Sequence, residues 1–171
     1  MKIRTTTVLI ALAPLVLASS LLQASDTRPE AMISHARSVM LGPDAPRDAI
    51  IGALVEVLDA TLLILPNTEY AGEFKSRMTT VRQMLVEGAL FSDKVHQYLG
   101  LAYKLVAGGK AWQIPEELKA PYREADMMEQ AKKVSGKLID SALAERKAGR
   151  NEQSVRFLLE FVLMVLTPVE A

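Results

Sequence analysis

Glu56 and Asp59 stand three residues apart, so on a helix they would be neighbours on one face. Paired carboxylates are a residue type that acid–base and metal chemistry recruits. A di-iron or di-manganese bundle site asks for more, namely a Glu from each of two helices and a Glu-x-x-His from each of two others. This chain contains no Glu-x-x-His. Its two histidines, His35 and His96, are followed four positions later by Val39 and Gly100, so neither supplies the second ligand of an i, i+4 metal pair. The expectation for Glu56 and Asp59 is therefore a solvated stripe, or a pairing with Arg156, because burying an unpaired ion costs several kcal/mol.

A second grouping surrounds His96. With Tyr98, Tyr103, Trp112 and Tyr122 it could line a small pocket for a ligand or for non-covalent haem, one of the eight methionines serving as a second axial group. Methionine at helical spacing ordinarily fills a core, however, and a lone tryptophan in a loop ordinarily plugs one end of a bundle. A haem- or metal-binding carrier is thus the alternative reading, and the leading one assigns no cofactor and no metal. Nucleophilic catalysis has less support, since no serine stands in a Gly-x-Ser-x-Gly setting. Gly108-Gly109-Lys110 is not a phosphate loop either, because it follows a helix and lacks the flanking strand and the Ser or Thr. No catalytic residue is assigned, and the chain is not read as an enzyme.

Composition narrows the compartment and the partners. Residues 1–24 have the pattern of a secretory signal peptide: Lys2 and Arg4, an apolar stretch from Val8 to Leu17, and Leu22-Gln23-Ala24 before the cut. A cut after Ala18 is the alternative. Pro14, Ser19 and Ser20 interrupt the run, which falls short of the ~20 apolar residues of a spanning helix. No stable membrane insertion is expected after cleavage, and the location is periplasmic, in a Gram-negative source, or secreted. Removing Lys2 and Arg4 from the 20 basic residues leaves 18 against 20 acidic ones, a formal charge of −2. Such a balance argues against nucleic acid, whose phosphates call for clustered Lys and Arg. The absence of cysteine removes disulfides, thiol catalysis, Cys-ligated zinc, iron–sulfur clusters and covalent haem attachment together. Residues 25–171 must then be held as a single domain by their core, which ~150 residues can build.

That core is helical. The most apolar run outside the N-terminus, Ala49 to Leu65, places Ile50, Leu54, Val57, Leu58, Thr61 and Leu65 on one face. Ile51, Val55, Leu62 and Leu63 widen the apolar surface, leaving only Gly52, Glu56 and Asp59 as a polar stripe. Before it, a helix is predicted from Pro29 to about Leu41, ended by Gly42-Pro43-Asp44-Ala45-Pro46 with Asp44 as N-cap of the next. After it come an amphipathic helix from Thr68 to about Leu90 and another from the N-cap Ser92 to about Ala107. The segment Gly108 to Pro121, with two glycines, two prolines and the only tryptophan, reads as a loop with at most one helical turn. A helix from Pro121 to about Ala148, a tight turn and a nearly all-apolar helix from Glu152 to Leu166 complete the chain. The polar stripe of that last helix is Gln153, Arg156 and Glu160. No segment alternates as a strand does. The fold class is all-α, a five- or six-helix antiparallel bundle or a stack of helical hairpins, with the two all-round apolar helices sandwiched between the amphipathic ones.

The stretch His96-Gln97-Tyr98-Leu99-Gly100-Leu101-Ala102-Tyr103 resembles the first helix of a tetratricopeptide repeat, where a Leu-Gly pair precedes a Tyr by three residues. The second half of such a repeat does not follow, because it would need a small residue near Trp112, an aromatic near Glu116 and a helix through Pro115. The resemblance implies helical hairpins, and membership of the family is not claimed. With a leader, a substantial core and no catalytic motif, the expected function is that of an exported protein-binding or accessory module. Its expected contact surface is the Gly108–Pro121 loop and its neighbours, Trp112, Tyr103, His96 and Tyr122, since loop aromatics serve binding more often than packing. A second copy of the chain could use the apolar face of residues 152–166, which leaves a homo-oligomer open.

Overall fold

The structure, a computed structural model, describes residues 27–65, 67–90, 92–116 and 124–167. The expected leader and Tyr122 lie outside the described residues. The described chain is all-helical, with α1 Arg28–Leu41, α2 Arg47–Ile64, α3 Ala71–Val86, α4 Asp93–Val106, α5 Glu124–Lys147 and α6 Asn151–Leu166. No strand occurs among the described residues. None of their helices is long and apolar enough to cross a membrane.

Short connections make three antiparallel hairpins, α1–α2, α3–α4 and α5–α6. The turn between α5 and α6 shows how the sequence enforces one. Gly149 takes φ 76°, a left-handed value that a β-carbon would oppose. Its amide then bonds the Arg146 carbonyl and the Arg150 amide bonds the Glu145 carbonyl, at 3.0 and 2.9 Å, so the last turn of α5 is satisfied as the chain reverses.

The hairpins close around a central pair. α6 packs on α5, α4 and α2, while α2 packs on α1, α3 and α6 and α1 reaches across to α5. The two most apolar helices therefore touch in the middle, as their patterning requires. Phe161, Leu158, Leu159 and Leu163 of α6 and Leu54, Val57 and Leu58 of α2 are fully buried. Each such side chain contributes roughly 1.5–3 kcal/mol relative to exposure. Most of the apolar surface of α6 is thus buried within the chain, with Phe157 and Val165 partly exposed. Ser154, also fully buried, donates to the Ala142 carbonyl at 2.7 Å and so pins α6 to α5 without leaving a polar atom unmet.

Several details differ from the expectations. Leu63 is 52% exposed, because the arc of α2 that faces α1, α3 and α6 does not extend to it. Asp44 does not cap α2: it takes φ 51° inside the connection, and the cap position falls to Pro46, whose side chain has no acceptor. Ser92 does occupy the cap position of α4, but its hydroxyl makes no capping bond.

Glu56 and Asp59 do not meet Arg156. α2 sits between α1 and α3, and its two acids lean to opposite flanks. His35 of α1 donates from Nδ1 to Glu56 at 2.6 Å, and Arg82 of α3 donates from Nε to Asp59 at 2.9 Å. Both pairs are partly exposed, so each is worth well under ~1 kcal/mol. Arg156 instead bonds Glu160 at 3.0 Å, one turn further along its own helix.

Candidate functional site

The end of α4 creates the site. Gly108 and Gly109, at φ 60° and 85°, stop the helix, and the Gly109 amide closes on the Lys104 carbonyl at 2.8 Å. From there the chain doubles back along α4, because Trp112 packs edge-on against His96, nearly three turns before the helix end. Their ring centroids are 5.8 Å apart at an interplanar angle of 66°.

His96 is itself held. The Thr167 hydroxyl gives its proton to the Leu163 carbonyl at 2.7 Å, so the Nε2 of His96, 3.2 Å from that oxygen, must be the donor of the second bond. The imidazole thereby has a fixed plane on which the indole rests. Trp112 is half-buried against the core, and its indole N–H has no hydrogen-bond partner among the described residues.

Beside the indole a cleft of about 680 Å³ opens between the loop, α5 and the α4–α6 seam. Its α5 wall presents Val134, Lys137, Leu138 and Ser141, which share one helix face by their spacing. Its seam wall presents Tyr103 and Glu160. The Tyr103 hydroxyl donates to Oε1 of Glu160 at 2.8 Å, and Arg156 donates to the same oxygen at 3.0 Å. Burial first, and the bond to Glu160 second, push the Tyr103 hydroxyl above the ordinary tyrosine range, so it stays a neutral donor. The same Glu160 raises the Arg156 guanidinium further.

The chain matches no family model, no curated protein and no solved structure. What the cleft can do must then be read from its own chemistry.

Of the expected surface, Trp112 and Tyr103 line the cleft, and His96 supports Trp112 from behind. Tyr98 is half-buried against the core. His35 lies elsewhere, on the α1–α2 hairpin with Glu56. No group of three or more His, Cys, Asp or Glu side chains is placed to hold a metal among the described residues. Sequence reasoning missed Lys110, Lys137, Ser141 and Glu160. For Lys137 and Ser141 a signal existed, since they flank Leu138 on the face shared with Val134. Which face meets the loop depends on how α5 is rotated in the bundle.

Proposed function

We propose that this protein is an exported helical binding module, working in the periplasm or outside the cell, that docks a segment of another protein in the cleft beside Trp112. It carries out no catalysis in this reading. The observation that carries it is the presentation of the single tryptophan, backed by a hydrogen-bonded imidazole and with no partner for its indole N–H among the described residues, on the wall of an open cleft. Aromatic anchors of this kind dominate interface energetics because they offer large contact area with little rotamer entropy to lose. The cleft volume falls in the range of ligand sites, about 300–1,000 Å³. The neighbouring polar groups favour binding over catalysis: Tyr103, Glu160 and Arg156 satisfy one another, and Ser141 is bonded to no base among the described residues. The leader pattern of residues 1–24 supports the location.

The test is affinity capture from the native compartment with the wild-type protein and with Trp112→Ala, followed by titration of each purified binder. A binder whose affinity falls at least tenfold in the variant, at nearly unchanged thermal stability, supports the reading. Binding equal in the two proteins would place the contact surface elsewhere. An absorption spectrum of the same native preparation separates this reading from a haem carrier.

A further inference from the structure

The ionisable groups around the cleft are not balanced. Lys110 enters from the loop beside Trp112 and Lys137 from α5, and neither has a carboxylate partner among the described residues. Among the described residues of the wall the one acid, Glu160, is held by Arg156 and Tyr103. Two ammonium groups without a carboxylate partner among the described residues therefore line one cleft, on a chain whose formal charge is zero overall. The same cleft is lined by apolar surfaces, the Trp112 indole, Leu138 and Val134. From this juxtaposition we infer that the cleft takes an acidic peptide segment, its carboxylates on Lys110 and Lys137 and an apolar side chain between them on Trp112. The inference rests on the binding function proposed above and adds the chemistry of the partner.

Two features make the charge selective. Lysine carries a point charge on a flexible stem, which suits carboxylates at varied positions along a peptide backbone. A basic peptide would place like charges beside both ammonium groups, and like-charge juxtaposition is what excludes wrong partners. The walls add uncharged hydrogen-bonding groups, the Ser141 hydroxyl and the Gln113 amide, that could meet a peptide backbone.

The experiment pans a phage-displayed library of random heptapeptides against the full mature protein. The selected sequences are then synthesised and titrated by the emission of Trp112, which is unambiguous because the chain holds one tryptophan. The expected result is enrichment of Asp and Glu around Phe or Leu, with Lys and Arg depleted. Replacing the acids of a selected peptide by their amides should weaken binding about tenfold or more, and Lys110→Gln and Lys137→Gln about fivefold each. Added salt should weaken it progressively. Lys132→Gln, on an exposed part of α5 outside the cleft, should leave it unchanged. Enrichment of neutral or basic peptides, no enrichment at all, or indifference to both lysine variants overturns the inference. So does a response of Trp112 to phosphatidylglycerol vesicles that equals the response to the peptides, since the anionic occupant would then be a membrane surface. Should neutral peptides bind in a Trp112-dependent way, the acidic preference fails while the protein-binding reading stands.

Discussion

Tyr103 of α4 and Glu160 of α6 are joined by a 2.8 Å hydrogen bond that ties the aromatic side of the cleft to the central helix of the bundle. The carboxylate oxygen that accepts it also accepts from Arg156, so three side chains from two helices act as one unit. Tyr103→Phe removes a donor and leaves the Glu160–Arg156 pair intact. The expected cost is about 1 kcal/mol, a shift of a few degrees in Tm. Glu160→Ala strands both donors and should cost more than the tyrosine variant. Urea denaturation of the two variants checks the order.

Trp112 packs on the rim of the core and not at its centre. Trp112→Ala should cost about 1–2 kcal/mol, less than the 3–5 kcal/mol of a fully buried aromatic, while removing partner binding. Calorimetric melting and binding titration on the same preparation separate the two effects. A loss of stability on the scale of a core residue would make the indole a structural plug.

Phe161 and Ser154 lie on the buried face of α6 and test the core in two ways. Phe161→Ala should destabilise by about 3–5 kcal/mol, since it leaves a cavity where α6 meets the other helices. Ser154→Ala gives up one buried bond to a carbonyl and should cost only about 1 kcal/mol. Equilibrium unfolding in urea measures both.

Tyr70 predicts the alkaline behaviour. Burial, followed by its bond to Glu152 at 2.6 Å, pushes the hydroxyl from 10.0 to about 12. The folded state then binds this proton more tightly than the unfolded state does. Its contribution is complete below pH 10.0 and is lost as pH rises toward about 12. Denaturation curves across that window should show a steeper fall for the wild type than for Tyr70→Phe.

The proposed export predicts a shortened chain. Mass spectrometry of protein from its native compartment should find an N-terminus at Ser25, or at Ser19 if the earlier cut is used. A preparation retaining Met1 would remove the extracytoplasmic location from the proposed function.

Some of the site was visible in the residues and some was not, for reasons that differ residue by residue. Trp112 and Tyr103 stand out by type and by position next to a Gly-Gly stop. Arg156 and Glu160 are four residues apart, a spacing that favours a local pair, yet the apolarity of both central helices drew attention to a cross-helix partner for Glu56. Lys137 is one of many charged residues on its helix. Its place on the cleft wall depends on the rotation of α5, which a helical period alone leaves undetermined. Asp44 had the right side chain for a cap and the wrong backbone, since a left-handed φ inside the connection moved the helix start beyond it.

Helical period, the breaks at Gly and Pro and the all-round apolarity of two segments were enough to establish the all-α class and a count of five or six helices, and they pointed to the two apolar segments, α2 and α6, as the centre. These follow from local backbone preference and from the need to bury apolar surface, both of which are written along the chain. Which polar groups met, and that two lysines and a tryptophan share one cleft, only the tertiary structure decided. Those relationships join residues far apart in sequence, and they depend on how helices of similar pattern rotate against one another.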